Sequence, residues 1–205
     1  MIRAALHRAS RALRRRIDRW NTASFESHGI HIWITTDTTW GTHAELFARV
    51  DAALALIAQH QPWRLRRVRL DIRHIWLYRQ PSFRASYRHD ARACVLDTYF
   101  VAKHPPEAVA ASIVHEAVHG RLAKRSFERT TTWEERVCRR AEVSLGRALP
   151  NGAAVVARAQ AVVDQGDAAD YTIDWDEVAR ERRRTSVRES LLPEFMKRWL
   201  LARVR

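Results

Sequence analysis

The stretch from His104 to Leu122 constrains the fold more than any other part of the chain. His104-Pro105-Pro106 blocks continuation of a strand or a helix and presets a new helix start, because proline fixes φ and has no N–H to donate. From Glu107 to Leu122, Val109, Ile113, Ala117 and Val118 recur on one side at helical spacing, the mark of a buried helix. Such a helix needs other elements packed on it, and 205 residues suffice for one domain with a sizeable core and appended helices.

This helix carries His115-Glu116-Ala117-Val118-His119. The i, i+4 spacing puts both imidazoles on one face, where His115 and His119 can hold a single Zn2+ through ring nitrogens. Glu116 is then angled toward the open position of the metal, where it can take a proton from the attacking water. This is the zincin motif. Two histidines on an otherwise apolar helix would also be costly to desolvate without a ligand.

A catalytic zinc usually has three protein ligands. No histidine follows His119, and Arg125 stands six residues on, where a metzincin would have its third histidine. The remaining candidates are carboxylates: Glu128, Glu134, Glu135, Glu142, or an Asp of the acidic stretch between Asp164 and Glu177. Thr131-Thr132-Trp133-Glu134-Glu135 opens the next helix, and either glutamate also fits a capping box with the threonine three residues before it. Glu134 falls in line with the apolar stripe Val137, Cys138, Ala141, Leu145 and Ala148, where a carboxylate needs a cation to be tolerated.

Around this helix the patterns predict an α+β chain. Ile30–Thr36 alternates like a strand, residues 43–60 carry a helical stripe, and strand patterns cover about Val68–Tyr78 and Ala93–Val101. Helices follow from Trp133 to about Leu149, ended by Pro150-Asn151-Gly152, then over Ala153–Val163, about 175–188 and about 192–203. Residues 2–20 read as a basic amphipathic helix and 21–29 as a linker. Strands gathered early and helices late give an α+β arrangement, divided into a basic N-terminal helix (1–20), a catalytic core (21–150) and a helical extension (151–205).

The segments 93–101, 115–119 and 131–142 together resemble the gluzincins, in particular the small ones built on a minimal strand–helix–strand–strand–helix core, and the resemblance covers roughly residues 30–150. It implies a zincin-like core, a zinc metallopeptidase activity and a third zinc ligand on the helix after the motif. Trp133-Glu134-Glu135-Arg136-Val137-Cys138-Arg139-Arg140-Ala141-Glu142 also looks like a segment of uncharacterised bacterial HExxH proteins, which supports Glu135 as that ligand. In the family a small residue often follows the ligand by three positions and an Asp by four. Here Cys138 fills the first place, but Arg139 stands at the second, with Glu142 two turns beyond Glu135 on the same flank. The family also places an edge strand before the motif helix to pair with extended substrate, and Ala93–Val101 takes that place. Tyr171, Arg140 and His89 are conceivable oxyanion donors, with no spacing to select one.

The formal net charge of +13 invites a polyanion-binding reading, but its distribution restricts it. Residues 1–20 and 180–205 each carry a net +6, leaving the middle of the chain near neutral with one basic run, Arg64, Arg66, Arg67, Arg69 and Arg73. Cys94 and Cys138 form no disulfide framework, and there is neither a secretory h-region nor an apolar run of membrane-spanning length. The expectation is a cytoplasmic zinc peptidase acting on peptide or protein, with basic termini open to peripheral contact with a membrane or nucleic acid. The alternative is a non-catalytic zinc-containing module whose basic terminal helices engage an anionic membrane surface or nucleic acid.

Overall fold

The computed structural model describes residues 22–35, 40–80, 83–124, 131–165 and 193–202. The predicted helices over 2–20 and 175–188 lie outside these residues. The described elements, in chain order, are strands β1 (Thr22–Ser27) and β2 (Ile30–Thr35), helices α1 (His43–His60) and α2 (Pro62–Asp71), and strands β3 (His74–Leu77), β4 (Ala85–Arg88) and β5 (Ala93–Leu96). Helices α3 (Thr98–Lys103), α4 (Pro106–Ala123), α5 (Thr131–Ala148), α6 (Ala153–Asp164) and α7 (Glu194–Leu201) follow. The chain is therefore mixed α and β, compatible with the α+β expectation.

The sheet order is β1-β2-β3-β5-β4, with the three inner strands parallel and both edges antiparallel to their neighbours. β1 and β2 form a hairpin turned by His28 and Gly29, both at positive φ, a two-residue turn that matches strand twist. The segment 21–29 is thus largely a strand and not a linker. Its polar Thr and Ser composition hides a single inward aromatic, Phe25, which stacks on Phe47 of α1 with ring centroids 4.6 Å apart.

The expected strand from Val68 to Tyr78 divides at Ile72. Arg alternating with apolar residues imitates a period of two, but Leu65, Val68 and Ile72 are the buried apolar positions while Leu70 is 60% exposed. That is helical spacing, opened by Pro62 at the first helical position. The basic run is correspondingly split, because Arg64 turns inward to Gln61 and to Ser144 of α5.

β5 ends at Leu96, and Asp97 caps α3 by accepting from Phe100 N at 2.9 Å. β5 lies between β3 and β4, so the expectation that Ala93–Val101 forms the sheet edge is corrected. The edge beside the motif helix is β4, whose half-exposed sequence ASYR carries no apolar alternation. Ile32, Ile34, Ile75, Leu77, Cys94 and Leu96 bury one sheet face against α1 and α4. On the other face Trp33 stacks on Trp76 and His74, with Arg88 over the Trp76 ring, so these tryptophans are not core residues.

α4 is buried along nearly its whole length, as its composition predicts, and passes through the middle of the core. A Cβ on Gly120 would stand 2.8 Å from the Tyr87 ring and 2.9 Å from Asp71 O. The missing side chain seats the end of α4 directly on β4 and α2, one residue after His119. α5 and α6 continue the packing, and Val155 of α6 joins the same core as Ile113 of α4.

Candidate metal centre

The site forms where α4 lies beside α5. His115 and His119, one turn apart, turn the same way, with their Nε2 atoms 3.1 Å from each other. α5 brings Glu135 to both: Oε1 lies 3.0 Å from His119 Nε2 and Oε2 lies 3.4 Å from His115 Nε2. Three donor groups therefore converge, two imidazoles and one carboxylate. Ligands about 2.0–2.1 Å from a tetrahedral zinc stand about 3.3 Å apart, so the spacing of this set suits a zinc-sized ion.

Cys138, one turn beyond Glu135, contributes a second overlapping set. Its sulfur and the nitrogens of His115 and His119 lie within 4.8 Å of one another, and this cluster could hold a metal ion. The carboxylate is the better placed of the two, because it already sits within hydrogen-bonding range of the imidazoles. In the metal-free protein, burial, reinforced by Glu135 and Glu116, pushes the Cys138 thiol far above its ordinary range.

Behind the imidazoles stands a second carboxylate. Glu142 is fully buried, and its Oε1 accepts from His115 Nδ1 at 2.6 Å. This contact fixes the ring orientation and turns Nε2 toward His119 and Glu135, the usual arrangement of a metal-binding imidazole backed by an acid. Glu142 also accepts from Arg139 Nη1 and from Arg158 Nη2 of α6, each at 2.7 Å. The acid missing at position 139 is thus supplied at 142, one turn further along the same face of α5.

The protonation of the cluster follows from these contacts. Burial alone would lower His115, but hydrogen bonds to Glu135 and Glu142 outweigh it and hold the imidazole at about 9. Burial would raise both glutamates, yet the imidazoles hold Glu135 well below the carboxylate range, and His115 with the two arginines holds Glu142 at about 2. Glu116 moves in the opposite direction: it is 5% exposed, and burial raises its carboxyl although His115 and His119 pull it down. It makes no hydrogen bond to another described residue, which leaves its oxygens available to a water or substrate. A buried carboxyl raised above its ordinary range beside two imidazoles suits a general base.

The structure brings together His115, Glu116, His119 and Glu135 of the residues singled out from sequence. Glu134, the rival ligand, is a half-exposed neighbour that meets neither imidazole among the described contacts. Glu128 and the acidic stretch beyond Gln165 lie outside the described residues, as does Tyr171. Arg140 is exposed, and His89 packs edge-on against Tyr87 at 5.0 Å. The sequence reading missed Arg139 and Arg158 as partners of Glu142. Arg139 could have been found from its i, i+3 spacing to Glu142, whereas nothing in the spacing of α6 marks Arg158. The chain matches no protein-family model, no curated protein and no solved structure.

Proposed function

We propose that the protein is a zinc-dependent peptidase of gluzincin type, with His115, His119 and Glu135 holding the metal and Glu116 acting as general base. The observation that carries this reading is the convergence of Glu135 on the two Nε2 atoms at 3.0 and 3.4 Å, with Glu142 backing His115. Zinc bound there would polarise a peptide carbonyl and acidify a water. Glu116 takes the proton of the attacking water and hands it to the departing amine. Glu142 keeps His115 in the tautomer whose Nε2 is free to bind. β4, which among the described residues is an antiparallel edge adjoining α4, offers the backbone of its outer side to an extended peptide.

Within this reading the enzyme works in the cytoplasm on peptide or protein substrates, in keeping with two buried, free cysteines. No helix among the described residues is long and apolar enough to cross a membrane. One observation favours the alternative of a binding module: α7 leaves Phe195 and Trp199 exposed on a helix that also carries Lys197 and Arg198, a pattern suited to an anionic surface.

Metal content of purified protein, together with Glu116→Gln, separates the two. The peptidase reading requires about one zinc per chain in wild type and variant alike, with proteolysis of an unfolded protein substrate lost in the variant by at least about 100-fold. Protein purified without chelator and lacking zinc contradicts the reading, as does activity unchanged by Glu116→Gln.

A further inference from the structure

Glu142 is held in an unequal way. Its Oε1 is shared by His115 Nδ1 of α4 and Arg139 Nη1 of α5, whereas the partner of Oε2 is Arg158 Nη2 of α6. Arg139 rides on the same helix as Glu142, three residues before it, and moves with it. Among these contacts Arg158 alone fixes the carboxylate from a helix other than the two that carry the metal donors. With both oxygens anchored from different sides, the Glu142 carboxylate cannot rotate about its last bond, and the Nδ1 contact that orients His115 is kept.

Stability explains this arrangement poorly. A buried ion pair roughly breaks even against apolar packing, and here the Nε atoms of Arg139 and Arg158 are both buried with no partner among the described residues, a further cost. The α5–α6 turn lets the two helices approach closely. A Cβ on Gly152 would stand 1.9 Å from Gly146 O, so the backbones of the turn touch where any side chain would hold them apart.

We infer that Arg158 is a positioning residue of the metal centre, acting on His115 through Glu142, and that α6 is therefore part of the working site and not an appended extension. The inference rests on the reading of His115, His119 and Glu135 as a zinc site. It extends that site to a helix outside the segment in which the zincin resemblance was found.

The test is Zn2+ affinity at fixed pH, by competition with a chromophoric chelator, for wild type, Arg158→Met, Arg158→Lys, Glu142→Gln and the double variant Glu142→Gln/Arg158→Met. Met keeps the apolar stem and removes the fork, and Lys keeps the charge, so at least one variant of the pair retains the packing. Removing the acid that backs a ligand imidazole weakens metal binding about 10- to 100-fold, and Arg158, one contact further out, belongs at the lower end of that range. The expected result is a loss of about 10-fold in Arg158→Met, a smaller loss in Arg158→Lys, and a double variant within about 3-fold of Glu142→Gln alone, because the two residues act in series. The visible spectrum of bound Co2+ should change in Arg158→Met, a shift that lowered stability by itself does not produce. Unchanged affinity and spectrum in Arg158→Met overturn the inference, whether or not its melting temperature falls, and so do losses that multiply in the double variant. Failure of the underlying zinc reading shows separately, as wild-type protein that takes up no stoichiometric Zn2+.

Discussion

Gly152→Ala sets two effects of opposite sign against each other. Gly152 has φ −83° and ψ −1°, a conformation alanine adopts without strain. On backbone grounds alone the substitution would stabilise the protein by about 0.4–1 kcal/mol, because it restricts the unfolded chain. The contact decides otherwise. The new methyl would lie 1.9 Å from Gly146 O and 2.7 Å from Gly146 C, both backbone atoms that no rotamer change can move. Reaching a tolerable separation of about 3.0 Å requires α6 to withdraw from α5 by roughly 1 Å. Overpacking of this kind costs about 1–3 kcal/mol, and the withdrawal also stretches the 2.7 Å contact between Arg158 and Glu142. A net loss of about 1–2 kcal/mol is expected, or about 2–8 °C in melting temperature for a chain of this size, measured by calorimetry or urea titration. Zinc affinity should fall in the same variant. A melting temperature equal to or above that of the wild type refutes the packing argument for the α5–α6 turn.

Glu135→Gln should reduce Zn2+ affinity by at least about 100-fold while Glu134→Gln stays within about 3-fold of wild type, read by the same chelator competition; the reverse order would make Glu134 the ligand. Chelator-treated protein should depend on pH in a defined way. His115 is held up from 6.5 to about 9, so its contribution to stability is complete below about pH 6.5 and lost as pH rises toward 9. Glu142 is held down from 4.5 to about 2, so its contribution is complete above about pH 4.5 and lost as pH falls toward 2. Denaturant midpoints in excess chelator should therefore peak between about pH 4.5 and 6.5 and decline above, and the upper decline should be absent from His115→Asn. A wild-type profile flat from pH 6 to 9 contradicts the described hydrogen bonds.

The motif helix was legible because three independent signals coincide in it: prolines at its start, apolar spacing along it, and two histidines one turn apart. The helix over 131–148 and its carboxylate were legible for a similar reason, although the sequence alone left Glu134 and Glu135 competing. Adjacent residues on a helix differ by 100° in direction, and only the packing of α5 on α4 decides which one meets the imidazoles. The edge of the sheet was misplaced because strand order depends on which chains pair across space, and the fully buried ACVL of β5 reads equally as an edge or a centre. β1 and β4 were overlooked because an edge strand buries one side chain in two or fewer, leaving little apolar pattern. The region Val68–Tyr78 was misread where arginines on a helix surface mimic alternation. Arg158 was out of reach altogether, since its contact with Glu142 spans two helices and depends on how α6 packs against α5, which spacing within α6 does not encode.

If two histidines and Glu135 hold one zinc beside Glu116, the ion's neighbours are fixed in kind and distance. X-ray absorption at the zinc edge, on protein loaded with one equivalent of Zn2+, tests it most directly. The expected spectrum shows a shell of nitrogen and oxygen neighbours at about 2.0–2.1 Å, including two imidazoles and no sulfur. A sulfur neighbour at about 2.3 Å would place Cys138 in the shell instead, and a spectrum without imidazole scattering would remove the site from α4 altogether.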